Sequence, residues 1–142
     1  MNYQHVSQDH WVVRLDPGDE LHASLFKFAE ENSLRGGQLT GIGGLREVEL
    51  GVFDKTSKTY HTKTITDAGV IEVVSLSGNC TFKEGKPFWH LHIVVTDRSR
   101  EVQAGHLMRG IVDITMEIII TVWDEQLERV AVPELGFWKI NL

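Results

Sequence analysis

The chain has 142 residues, 42% of them hydrophobic, and its 14 basic and 20 acidic side chains give a net charge of −6. That length suits one domain with a sizeable core and leaves no room for a second, while the acidic balance, with no basic run, excludes the electrostatic footprint of an autonomous nucleic-acid binder. The single cysteine, Cys80, excludes an internal disulfide and a zinc-cysteine cluster, so a bound metal must be held by imidazole and carboxylate.

The chain opens on a polar lead with no apolar segment behind a basic start, and no apolar run reaches the roughly 18 residues of a membrane span. Together with the lone cysteine, this predicts a cytoplasmic protein without a membrane segment. HWVVRL (residues 10–15) reads as a short strand, after which Asp16 is placed to cap a helix with Pro17 at its first position. Leu21, Leu25, Phe28 and Ala29 keep a helical stripe from which Lys27, Glu30 and Glu31 fall away. One amphipathic helix is therefore predicted to about Asn32, ended by Arg35-Gly36-Gly37 and packed on a sheet.

Beyond it, segments 38–44, 45–54, 58–66, 70–82, 88–97, 101–108 and 111–124 read as strands, separated by turn-like stretches at 54–57, 67–69, 83–86 and 97–100. Such short connections favour antiparallel neighbours. The glycines of Gly41-Ile42-Gly43-Gly44 predict a bulge or a tight crossing, and not a phosphate loop, because a strand-like segment follows them where a helix would be needed. The tail ends in Phe137, Trp138, Ile140 and Leu142, too apolar for a free end, and is expected to dock on its own sheet or on a neighbour's. The whole of residues 1–142 reads as a single α+β domain, a mixed, mainly antiparallel sheet with one main amphipathic helix.

The chemistry concentrates in WHLHIVVT (residues 89–96). Side chains alternate along a strand, so His90 and His92 share one face with Val94 and Thr96, opposite Trp89, Leu91, Ile93 and Val95. Two histidines buried on one face must have their nitrogens satisfied. His106, after Gly105, lies where a return strand brings a third ring beside them. Two readings follow: a three-histidine metal site with an open fourth position, or core histidines bonded to backbone carbonyls. With a metal, Glu72 and Glu117, the carboxylates in the most apolar runs, are candidate acid or base groups, and equally candidates for structural ion pairs or subunit contacts. Arg109 is the candidate for a substrate carboxylate.

Four motifs in this order, Gly41-Ile42-Gly43-Gly44-Leu45-Arg46, Glu72-Val73-Val74-Ser75-Leu76-Ser77-Gly78, His90-Leu91-His92 and Gly105-His106-Leu107, resemble the plant- and prokaryote-conserved (PPC) domain, and the likeness spans about residues 10–140. Many members carry Gly-Gly-His-Leu where this chain has Ala104-Gly105-His106-Leu107, an added methyl that leaves the histidine in place. The resemblance implies one antiparallel-rich sheet with a helix, assembly as a homotrimer, and a metal site at His90, His92 and His106, with zinc the expected ion for three neutral imidazoles. It also implies a fold similar to acetolactate decarboxylases, which hold zinc on three histidines. Plant members precede this domain with AT-hooks, of which this chain has none, so a DNA-binding or transcription-related label comes from relatives alone and the acidic balance argues against direct DNA contact. The expected function is a zinc-binding, homotrimeric binding or regulatory module, with a small-molecule ligand at the metal. The alternative is a small zinc-dependent lyase or hydrolase acting on a carboxylate-bearing metabolite.

Overall fold

Branched and aromatic residues dominate outside one helical stripe, and the computed structural model, which describes residues 1–142, turns them into eight strands and a helix. In order these are β1 (Asn2–Ser7), β2 (His10–Leu15), α1 (Leu21–Glu31), β3 (Gly37–Asp54), β4 (Thr59–Lys83), β5 (Lys86–Thr96), β6 (Val102–Val122), β7 (Arg129–Val132) and β8 (Phe137–Ile140). The named strands pair only antiparallel. The main sheet runs β1-β2-β6-β3-β4-β5, and β5 also pairs with β6, so the sheet curls back on itself. No helix is long and apolar enough to cross a membrane.

Three predicted breaks are not breaks. Segments 38–44 and 45–54 form one strand, β3, and the Asp67–Gly69 stretch lies inside β4. There the partner of β3 passes from Ile71 at Leu45 to Thr66 at Glu47, so the intervening β4 residues bulge, tied by the Gly69 amide donating to Asp67 Oδ1 at 2.7 Å. Segments 101–108 and 111–124 likewise merge into β6. Polar residues that suggest a turn are carried here by a bulge, because long flanking ladders hold the backbone extended on both sides. The expected bulge at Gly41–Gly44 is present: β3 slips register between Gly41 and Gly43 against β4, and between Gly43 and Leu45 against β6. A Cβ on Gly43 would lie 2.2 Å from the Thr115 carbonyl oxygen, which is why a glycine stands there.

The N-terminal lead is also structured, since Asn2–Ser7 pairs with β2 as a hairpin. The helix is capped by Glu20, whose Oε2 accepts from the Ala23 amide at 2.7 Å, and not by Asp16, which accepts from Arg14 Nε at 2.9 Å. Pro17 and Gly18 form a turn ahead of the helix, with Gly18 at φ +93° and the Asp19 amide donating to the Asp16 carbonyl. The predicted stripe holds, with Leu21, Leu25, Phe28 and Ala29 all buried in the main core. The tail folds as its own hairpin, β7–β8, beside the end of β4, where the Phe82 amide donates to the Leu127 carbonyl at 2.8 Å.

Helix α1 grips the two strands that carry the histidines. Trp89 Nε1 donates to the Leu25 carbonyl at 3.0 Å, and His22 Nε2 lies 2.9 Å from the Leu107 carbonyl oxygen. Trp89, Leu91, Ile93 and Val95 of β5 all point into the core. The opposite face therefore belongs to His90 and His92. This corrects the expectation of a buried histidine face: His92 is exposed and His90 half-buried.

Close approach of β4 to β5 depends on Gly78, the partner of Leu91, where a Cβ would lie 2.0 Å from the His90 carbonyl oxygen. Gly78→Ala is expected to destabilise the fold by about 2–3 kcal/mol through forced strand separation. A urea titration checks this as a lowered midpoint with an unchanged slope.

Candidate metal centre

Antiparallel pairing of β5 with β6 sets His92 directly opposite His106, and side-chain alternation puts His90 two residues away on the same face. The Gly105-His106-Leu107 segment is extended strand within β6. The three ring centroids lie 5.0–5.4 Å apart, and one ligating atom from each histidine falls within 4.8 Å of the others. Of the site residues singled out from sequence, the structure brings these three together.

Donor chemistry fits a cation. His90 Nε2 and His92 Nε2 are 3.2 Å apart, close to the roughly 3.3 Å separating two nitrogens that share a tetrahedral zinc at 2.0–2.1 Å. Without an ion, two neutral rings at that distance require one nitrogen to donate to the other. His106 Nδ1 is buried with no hydrogen-bond partner in the protein, a state that costs about 1–3 kcal/mol unless something else meets it. Burial pushes the His106 imidazole down to about 4, helped by the fields of His90, His92, His22 and Arg129, and burial also lowers His90, helped by Arg129 and His92. These rings are therefore held neutral at pH 7, the form that ligates a metal.

The histidines open into a cleft of about 550 Å³ walled by Phe53, Tyr60, Phe88, Phe137 and Trp138. Tyr60 lies against His106 at 5.0 Å between ring centroids. Two cations, Lys83 and Arg129, line the same cleft, and no carboxylate does. The C-terminal hairpin thus supplies part of the wall, a role its apolar residues signalled in sequence only as docking. Arg129 was not singled out from sequence; an arginine in a strand-like apolar run, RVAV, was the one available sign.

The other predicted site residues lie elsewhere. Glu72 and Glu117 are exposed and line a separate cleft of about 450 Å³ at the Gly43–Gly44 bulge, with Ile42, Val70, Val74 and Ile114. Arg109 is exposed and ion-paired with Glu47 across β3 and β6, outside the histidine cleft. Cys80 is buried, and burial pushes its thiol up to about 12, so it is inert at neutral pH.

The sequence profile of the Plants and Prokaryotes Conserved (PCC) domain matches residues 4–124. The chain belongs to this family. Among solved structures, a "putative DNA-binding protein" of Bacteroides thetaiotaomicron superposes with a TM-score of 0.93 at 26% identity, covering 99% of this chain and 96% of that one. A metal-containing protein of Archaeoglobus fulgidus gives 0.85 at 27% identity, covering 100% and 99%. Acetolactate decarboxylase of Bacillus subtilis gives 0.57 at 14% identity over 88% of this chain and 62% of its own, a likeness of fold alone. No curated protein matches the chain.

A depressed imidazole couples the PPC site to stability. Below about 6.5 the unfolded chain binds a proton at residue 106 that the folded chain accepts only near 4. Stability of the metal-free protein is therefore expected to be full, for this group, above pH 6.5 and to fall between pH 6.5 and 4. Denaturation measured across that window checks the sign, and His106→Gln should reduce the slope.

Proposed function

We propose that this chain is a zinc-binding, homotrimeric PPC domain in which His90, His92 and His106 hold the ion and the histidine cleft receives a small ligand, the protein acting as a binding or regulatory module. The observation that carries this reading is the convergence of three imidazole nitrogens within 4.8 Å, one of the rings having a buried nitrogen that no protein group meets. The Archaeoglobus relative's description as metal-containing supports it. When bound, zinc would supply a Lewis acid at the mouth of the cleft. The residues around it hold a ligand by other means: Tyr60 and Trp138 exclude water with their rings, and Lys83 and Arg129 supply positive charge.

The trimer is supported by the outward sheet face, where Val12, Ile42, Val74, Ile114 and Ile119 are all exposed. Adjacent branched residues on one open sheet face are what a subunit contact covers. Glu72 and Glu117 stand on that face, which favours a subunit-contact role for them over acid-base work at the histidines. A cytoplasmic location agrees with the single, inert thiol. The net charge of −6 does not favour direct DNA contact here, whatever the DNA-binding description of the Bacteroides relative.

A second reading, a small zinc-dependent lyase or hydrolase acting on a carboxylate-bearing metabolite, is favoured by one observation, the cationic lining of a small cleft. It needs a proton carrier, and Tyr60, beside His106, is the candidate in place of Glu72 and Glu117.

Elemental analysis of protein purified without a histidine tag tests the main reading. One zinc per chain is expected in the wild type and loss of nearly all of it in His92→Ala, with sedimentation giving three times the 16.1 kDa chain mass for both. Wild type without stoichiometric zinc, or a variant that keeps it, would overturn the site.

A further inference from the structure

Arg129 is 7% exposed, and none of the chain's ion pairs includes it. Its hydrogen bonds all go to neutral oxygens: Nε donates to Thr81 Oγ1 at 2.8 Å, one terminal nitrogen to the Trp138 carbonyl at 3.3 Å, and the other to Asn79 Oδ1 at 3.0 Å. A buried cation without an anion is costly. Three of the guanidinium's five N–H groups are engaged, which leaves one on each terminal nitrogen to donate to a ligand. The plane is held by Phe88, whose ring centroid lies 5.0 Å from the guanidinium carbon.

Register fixes the position of this charge relative to the histidines. Asn79, which accepts from Arg129, is the direct cross-strand partner of His90. Side chains so paired start about 5 Å apart at Cβ, so the guanidinium lies about one small molecule's length from the imidazole cluster. Lys83 adds a second cation to the lining, its Nζ 4.5 Å from the Trp138 ring. The cleft, at about 550 Å³, is of metabolite size. In a chain of net charge −6, this cleft is lined by cations and no carboxylate, unlike the cleft at the Gly43–Gly44 bulge, which carries Glu72 and Glu117.

We propose that Arg129 anchors an anion subsite in the histidine cleft and that the ligand is a small carboxylate, its carboxyl group on the guanidinium and its adjacent hydroxyl or keto oxygen directed at His90, His92 and His106. This names the ligand class for the metal site and rests on that reading for the second contact only. A guanidinium that merely pins the β7–β8 hairpin would discriminate nothing.

The test is calorimetric titration of the zinc-loaded protein with lactate, pyruvate, acetate, lactamide and inorganic phosphate, repeated on metal-free protein by following tryptophan fluorescence. Wild type should bind lactate at least about tenfold more tightly than the isosteric amide, as expected for a charge-assisted pair, and Arg129→Gln should lose that preference while keeping its zinc. Equal binding of acid and amide by the wild type overturns the proposal, and this comparison decides even where the variant fails to fold. So does a folded Arg129→Gln that keeps the preference, or the absence of any response to lactate, pyruvate or acetate. Phosphate binding more tightly than all three acids would overturn the carboxylate assignment. If the protein takes up no zinc yet metal-free wild type still prefers the acid and Arg129→Gln does not, the subsite stands and the metal reading falls.

Discussion

The pairing of β5 with β6 is the constraint on which the rest depends. It sets His92 opposite His106, and the backbone pleat puts His90 on the same side. Slipping this register by one residue would send the histidines inward and Leu91 and Ile93 outward, so the hydrophobic core itself enforces the site. Helix α1 reinforces the choice from the other side, bonded to Trp89 beside His90 and to the carbonyl of Leu107 beside His106. Core packing and donor convergence are two faces of one pair of strands.

The electrostatics of the cleft follow from where the chain spends its charge. Some of its acidic groups pair with cations away from the cleft, as Glu47 does with Arg109 and Asp67 with Arg98. The cleft receives two cations and three imidazoles, of which His90 and His106 are kept neutral chiefly by burial. Neutral imidazole suits a metal, and an uncompensated guanidinium suits an anion. The two preferences meet in one volume, which gives a ligand with both a charged end and a metal-seeking oxygen two anchor points.

Much of this was legible in the residues. The helical stripe, the alternation in WHLHIVVT and the glycine bulge each follow from a period or a steric demand contained within a few neighbours. What was not legible depended on distant partners. Asp67–Gly69 has turn chemistry yet lies in a bulge, because β3 continues past it; Asp16 is a good cap by type, but Arg14 engages it and Glu20 takes the position. Glu72 and Glu117 looked buried because their neighbours are apolar, whereas those neighbours include an open sheet face. Arg129 was signalled only by its place in RVAV, since its burial comes from a hairpin folding back over β4.

Diffraction data collected at the zinc absorption edge from crystals of the zinc-loaded protein test the convergence of the three imidazoles most directly. A single anomalous peak at about 2.0–2.1 Å from one nitrogen each of His90, His92 and His106 is the expected result. A peak held by other residues, or three rings turned to backbone carbonyls with no peak among them, would contradict it.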